Sequence, residues 1–254
     1  MFFVCEGLFA KKIVRELCER KMKLSARLNA VARLVPPVHT LADIGTDHGY
    51  IPIYLIQHKR IKRAIAADIS AGSLDKARQL IREHGLEECV ETRLGSGLSV
   101  LSPGEADIII IAGMGGVLIS DIINEGREAA IAADALILQP MTGQAELRRW
   151  LLNNGFDIAD EDLAKEDRRI YEVIVAVPDP AASGYKNEIY YDIGWKLIEK
   201  KHPLLKEWIE GKMDHLAQIM RQLERGKSDS AAERLQQFRD KYRQYKEVYN
   251  CHIG

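Results

Sequence analysis

The feature that most constrains this chain is a rhythm that ends abruptly. Between residues 40 and 177 short apolar runs alternate with helical patterns, and the last two runs are separated only by Ala164–Arg169. Candidate strands are Thr40–Ile44, Arg63–Asp68, Val90–Leu94, Asp107–Ala112, Ala135–Gln139, Asp157–Leu163 and Ile170–Val177. Helical patterns fill the intervals at Ile51–His58, Ala71–His84, Val117–Ala130 and Gln144–Asn154. The strand runs are unbroken rather than alternating, as expected of strands covered by helices on both faces. Units of this kind wind with one hand into a parallel sheet. The polar link Ala164–Arg169 has no room for a helix, so it makes a hairpin and reverses the last strand.

Six parallel strands and one antiparallel strand are the arrangement of class I, Rossmann-like methyltransferases; the ordinary dinucleotide-binding fold ends on a parallel strand. The length of 254 residues suits one such domain with an appendage. Residues 22–178 are expected to form the domain. Residues 1–21 read either as an upstream extension, with Met22 the functional start, or as an ordinary N-terminal helix. Met22 leads into a helical pattern, Leu24–Val35, that Pro36 and Pro37 end. Hydrophobic residues at 46% and charged residues at 29% exclude wholesale disorder. Cys5, Cys18, Cys89 and Cys251 are scattered without metal-like grouping and read as free thiols of a cytoplasmic protein. The start is a poor signal peptide, and the apolar run Ile108–Ala112 is far too short to span a membrane. Neither a membrane nor a metal is expected as a partner.

Pro178–Gly184 is a turn-rich linker, after which the composition shifts. Glu188–Lys201 reads as helical. Heptad-like positions Ile209, Leu216, Ile219 and Leu223, then Leu235, Phe238, Tyr242, Tyr245 and Tyr249, read as a helical hairpin of coiled-coil type over 187–250. Ser230 with Glu233 is a capping box for its second helix. The aromatics are expected to be its packing seam. Heptads can close within one chain or between two; a monomer is the expectation.

The strongest local motif is Leu41-Ala-Asp-Ile-Gly-Thr-Asp-His-Gly49 at a strand-to-helix turn. Glycines there let backbone approach a ligand. A dinucleotide fingerprint needs bare N–H groups for a pyrophosphate, but here Asp47 takes the second glycine position and would repel it. Acids suit a cationic ligand such as the ammonium and sulfonium of S-adenosylmethionine. Asp68, at the tip of the second strand, is placed to accept from ribose hydroxyls; the alternative, an N-cap, has a competitor in Ser70. The loop Arg93-Leu-Gly-Ser-Gly-Leu98 reaches towards the adenine, with Ser96 where an acid is often found. Gly113-Met-Gly-Gly116 falls where the strand order reverses, a position for a methionine-end or target-base contact. Gln139-Pro-Met141 lines the same crevice by topology. His48 suits either proton transfer or cofactor positioning.

These motifs resemble the bacterial tRNA (adenine-22-N1)-methyltransferase family, TrmK. The likeness rests on Met22-Lys-Leu-Ser-Ala-Arg-Leu28, Ala42-Asp-Ile-Gly-Thr-Asp-His-Gly-Tyr-Ile-Pro52, Arg93–Leu98, Ala112-Gly-Met-Gly-Gly116 and Leu138-Gln-Pro140. It runs from about Met22 to the C-terminus; residues 1–21 and Ser96 depart from the pattern. It implies S-adenosylmethionine as donor and N1 of adenine 22, in the D-arm region of tRNA, as target. On that footing Asp43, Gly45, Gly49, Asp68, Ser96, Gly97, Gly113, Met114 and Gly115 are expected at the cofactor. Tyr50, Gly116 and Gln139 are expected at the substrate, and Asp47 and His48 at the transfer site.

Total charge hides a division. Lys+Arg number 36 and Asp+Glu 37, a net charge of -1. Yet residues 1–40 hold eight basic and three acidic residues, 41–186 hold fifteen and twenty-three, and 187–254 hold thirteen and eleven. An acidic core is thus flanked by basic segments, whose Arg27, Arg33, Lys212, Arg221, Arg225, Lys227, Arg239 and Arg243 are candidate phosphate contacts. Two rival readings are a nicotinamide-dependent oxidoreductase and a non-catalytic, methyltransferase-like RNA-binding protein.

Overall fold

A computed structural model describes residues 21–224 and 229–253. Seven strands form one sheet: β1 (Thr40–Ile44), β2 (Arg63–Asp68), β3 (Val90–Leu94), β4 (Ile108–Gly115), β5 (Ala135–Thr142), β6 (Phe156–Glu166) and β7 (Arg169–Pro178). Their order is β3-β2-β1-β4-β5-β7-β6. The pairings among β1 to β5 are parallel, and β7 is antiparallel to both β5 and β6. All seven expected strands are present, and the last is reversed by the short link as the sequence requires. Because β7 is inserted between them, β6 runs in the direction of β5. The ends of β1, β2, β4, β5 and β6 therefore share one edge. The order reverses between β1 and β4, which opens a crevice at that edge.

Helices cover both faces. On one, α4 (Gly116–Glu125), α5 (Arg127–Ala132) and α6 (Gln144–Asn153) place Ile119, Ile123, Leu147 and Leu151 on Ile109, Ile111, Leu136 and Leu138. On the other, α1 (Ala26–Leu34), α2 (Tyr50–Gln57) and α3 (Ala71–Glu83) place Val31, Ile53 and Ala77 on Leu41, Ile108 and Ile110. Each large buried aliphatic contributes about 1.5–3 kcal/mol. Ser25 caps α1 by accepting from the Leu28 N–H. The helix expected over Val117–Ala130 is divided at Gly126, where a Cβ would overlap the Leu98 side chain. The chain turns there so that the turn after β3 can pack beneath α4.

Beyond the linker come α7 (Ile189–Ile193), α8 (Trp195–Glu199), α9 (Leu205–Leu223) and α10 (Asp229–His252). The helix expected over Glu188–Lys201 is broken at Gly194, which has φ +88°. A side chain there would come within 2.6 Å of the Glu161 carboxylate. The break lets the Lys196 N–H donate to Glu161 at 3.0 Å. α9 and α10 form the expected hairpin. Ile209, Leu216, Tyr245 and Val248 are buried between them, with Phe238, Tyr242 and Tyr249 packed alongside, so the aromatics are a packing seam. The turn at Arg225–Ser228 and the Ser230 side chain lie outside the described residues, as do residues 1–20. The C-terminal helices share their core with Leu163 of β6.

Arg148 fastens this side of the molecule. It projects from α6 with 0% side-chain exposure and bridges Glu161 of β6 at 2.6 Å and Glu172 of β7 at 2.7 Å. A third donor reaches the Tyr191 carbonyl of α7 at 2.9 Å. Burial opposes its charge, but the two carboxylates outweigh burial and hold the guanidinium above its ordinary pKa. Removing one partner of such a cluster leaves buried charge without compensation. Arg148→Leu is therefore expected to lose about 3–5 kcal/mol in urea unfolding. Arg149→Leu, which breaks an exposed pair with Glu188 and a contact with the Tyr191 ring, should lose no more than about 1–2 kcal/mol. Similar losses for the two variants would show that the buried cluster contributes no special stability.

Candidate active site

Two cavities meet over the turn after β1. The inner one, about 240 Å³, is lined by Arg27, Asp43, Gly45, Thr46, Asp47, Tyr50 and Gly113, among others. The outer one, about 340 Å³, is lined by Gly45, Asp68, Ile69, Ser96, Gly97, Met114, Leu118 and Ile122, among others. Gly45 belongs to both. Its φ is +77°, a left-handed conformation that favours glycine, and a Cβ there would displace the methyl group of Met114.

The acids divide the work. Asp43 is the next-to-last residue of β1, within its buried stretch, and is 5% exposed. The Thr46 hydroxyl donates to it at 2.6 Å. Asp68 stands at the tip of β2 and accepts from the Ser70 N–H at 2.7 Å. Ser70, not Asp68, caps α3, by accepting from the Ser73 N–H. Asp47 adopts φ +45° in the turn, a conformation that aspartate tolerates better than most residues. One of its oxygens lies 2.8 Å from His48 Nδ1, and the other 3.8 Å from Lys76 Nζ. His48 stacks flat on Tyr50, with ring centroids 5.0 Å apart. The imidazole thus backs Asp47 and Tyr50 rather than lining either cavity.

Arg27 enters from the opposite side. Its backbone N–H donates to Glu166 at the end of β6, 2.9 Å away. Its guanidinium donates to Gln139 Oε1 at 2.8 Å and lies over the Tyr171 ring, 5.8 Å from the centroid. The side chain expected to meet phosphate is therefore turned into the crevice beside Gly113. Gln139 is fully buried, and its amide nitrogen donates to the Pro140 carbonyl. Both ends of that amide serve to hold Arg27 and the β5 turn.

Other expected residues divide between lining and support. Gly113 and Met114 line the cavities, whereas Gly115 faces Thr142. Gly116 presses on backbone, since a Cβ there would overlap the Gly143 carbonyl. Gly49 faces Ala77 and Ile81 of α3. Lys212 lies over Trp208 on α9, in a separate cleft. Arg33, Arg239 and Arg243 are ion-paired with Asp162, Glu224 and Asp240. Arg225 and Lys227 lie outside the described residues. Sequence reasoning missed Ile69, Leu118 and Ile122, the apolar walls of the outer cavity. A bare Ile immediately after the tip acid Asp68, 73% exposed, was the available signal.

Together the cavities suit an elongated ligand. The inner part offers carboxylates and one guanidinium; the outer offers an apolar slot flanked by the carboxylates of Asp68, Asp121 and Glu125. A methyltransferase-domain family model matches residues 24–174. A tRNA (adenine(22)-N(1))-methyltransferase of Bacillus subtilis is 34% identical over 233 residues, covering 90% of this chain and 98% of that one. The chain belongs to the tRNA (adenine(22)-N(1))-methyltransferase family. The crystal structure of the B. subtilis family member, the m1A22 tRNA methyltransferase TrmK, superposes with a TM-score of 0.79 at 33% identity, covering 90% of this chain and 99% of that one. TrmK of M. capricolum, solved with the cofactor product S-adenosylhomocysteine, gives a TM-score of 0.73 at 28% identity, covering 89% and 98%. The resemblance drawn from the motifs of this chain and the class I fold are both supported.

Burial lifts the Asp43 carboxyl from its ordinary 3.8 to about 6; the Thr46 bond opposes the lift and the nearby Asp68 charge adds to it. The folded state therefore binds the extra proton between those values, and stability falls as pH rises through that window. At neutral pH the charged form costs about 2–3 kcal/mol. Asp43→Asn keeps an acceptor for Thr46 and should be more stable than wild type by that order at neutral pH. The difference should close below about pH 4. Urea midpoints at both pH values check this, and a pH-independent difference would contradict it.

Proposed function

We propose that the protein transfers the methyl group of S-adenosylmethionine to N1 of an adenine in tRNA, with adenine 22 the position its family name specifies. The observation that carries this reading is the pair of cavities sharing Gly45, both bearing carboxylates and the outer one walled by apolar side chains, in a member of that family. The residues present fit the donor. Asp68 is placed for ribose hydroxyls, and Ile69, Leu118 and Ile122 for the faces of an adenine ring. Asp43 and the turn backbone suit an ammonium group. Arg27, held by Gln139 and Tyr171, has N–H donors left for a carboxylate. Ser96 sits at the outer cavity beside Asp121 and Glu125 of α4, which supply the acidity absent from its own position.

S-adenosylmethionine supplies an electrophilic methyl group on a sulfonium. Adenine N1 carries a lone pair, so no strong general base is required. The protein's task is to place the base and exclude water, which can lower a barrier by several kcal/mol. N1 lies on the Watson–Crick edge, so the base must be unpaired or extruded on arrival. Tyr50, 37% exposed at the mouth and stiffened by His48, offers it a stacking face. The methylated base is cationic, and the Asp47 carboxylate lies where it can favour that charge. The catalytic domain is taken as residues 22–178, with 187–250 an appendage facing the RNA.

Asp68→Ala should weaken S-adenosylhomocysteine binding by about tenfold or more, read by calorimetry. Asp47→Ala should lower turnover by about tenfold with a smaller effect on that affinity, and His48→Ala should fall between it and wild type. Wild-type turnover in both Asp47→Ala and His48→Ala would remove this pair from the transfer site. Reverse transcription of a treated tRNA transcript, which halts at an N1-methylated adenine, locates the product. A halt at any other nucleotide would overturn the assigned target.

A further inference from the structure

A second open cleft, about 880 Å³, lies between the β6–β7 turn and α9. It is larger than either cavity of the active site and lies at the same edge of the sheet. Arg27 of the crevice donates its backbone N–H to Glu166, and Glu166 stands opposite Arg169 in the backbone register of β6 and β7. Tyr171, under the Arg27 guanidinium, follows two residues later. From β4, where the order reverses, to β6 is three strand spacings, roughly 15 Å along the same edge. A chain leaving the crevice past Arg27 meets this turn first.

The cleft's charges are unevenly committed. Arg168 and Arg169 are exposed and have no ion pair among the described residues. Lys212 likewise has no acidic partner there; its ammonium lies over Trp208, 4.8 Å from the ring centroid. Two of the four lining acids are already engaged. Glu207 holds Lys165 at 2.6 Å, and Glu210 accepts from the Tyr249 hydroxyl at 2.8 Å. Among the described residues Arg168, Arg169 and Lys212 thus stand as three unpaired cations beside two unpaired acids, Asp167 and Asp214.

Gly211 is the independent observation. It sits inside the nineteen-residue α9, where glycine weakens a helix. It lines the cleft, and a Cβ placed on it would meet nothing within 4 Å. Packing therefore does not explain the missing side chain, whereas close passage of a backbone along the helix does.

We propose that this cleft is the track along which the phosphodiester backbone of the tRNA leaves the active site, with Arg168, Arg169 and Lys212 facing phosphates and Gly211 giving the strand room. The proposal rests on the tRNA-methylating reading above and specifies where that substrate is gripped.

The test uses the full chain and an unmodified tRNA transcript, with binding measured across a salt series. Combined Arg168→Ala, Arg169→Ala and Lys212→Ala should weaken tRNA binding by at least about tenfold and reduce the slope of log affinity against log salt by about two to three. The KM for tRNA should rise, while S-adenosylhomocysteine affinity stays at the wild-type value. Gly211→Gln should raise the melting temperature, because it restores a good helix former, and yet weaken tRNA binding severalfold. A structural role alone would not separate those two effects. Wild-type tRNA affinity and salt slope in the triple variant, or wild-type tRNA affinity in Gly211→Gln, overturns the track. A wild-type protein that methylates no tRNA removes the underlying reading and the track with it. Methylation with an unchanged salt slope removes the track alone.

Discussion

The arrangement of the molecule depends on one buried cation. Arg148 joins α6, β6, β7 and α7 through hydrogen bonds from all three of its nitrogens, and few other side chains could reach all of them. Its cost is desolvation, which only two carboxylates at hydrogen-bond distance offset. The reward is position. The reversed strand β7 lies between β5 and β6, and the helices after the linker are drawn against β6 rather than left to pivot on Pro178–Gly184. The Gly194 break belongs to the same arrangement, because a side chain there would collide with the cluster.

A second network extends that order to the crevice. Asp162 of β6 accepts from His202, at the corner before α9, at 2.7 Å and also pairs with Arg33 of α1. Burial would raise its pKa, but the bonds from His202 and Arg33 outweigh burial and lower it. Glu166, four residues on, holds the N-terminal end of α1, and its pKa is lowered mainly by the Arg27 backbone N–H. The helix carrying Arg27 is thus anchored at both ends to one strand, and that strand is also the seat of the C-terminal helices. The C-terminal helices and the crevice share a frame.

Much of this was legible in the sequence, for identifiable reasons. Strands covered on both faces read as unbroken apolar runs, so Ile108–Ala112 and Ala135–Gln139 stood out. The link Ala164–Arg169 was too short for anything but a hairpin. Ser70 announced itself as a cap, which left Asp68 for another task. The hidden features depend on contacts distant in sequence. A charged residue in a helical pattern reads as surface, so Arg148 gave no sign of burial. Arg27 looked like one of several basic residues, because Glu166, Gln139 and Tyr171 lie more than a hundred positions away. Gly126 and Gly194 break helices only because Leu98 and Glu161 occupy the space beside them. His48 carries the right chemistry for a crevice, yet the turn aims its ring at Tyr50.

The contact between Gly116 and Gly143 bears on how such a site can diversify. Two turns, one after β4 and one after β5, meet backbone to backbone with no room for a Cβ on Gly116. Neither turn can be lengthened or redirected alone, so this wall of the crevice has a fixed course. Its side chains are less constrained. Val117 is 62% exposed and Met141 37%, each beside one of the touching turns. The freedom left at this wall lies in those two side chains, while the peptide path between them is closed to drift.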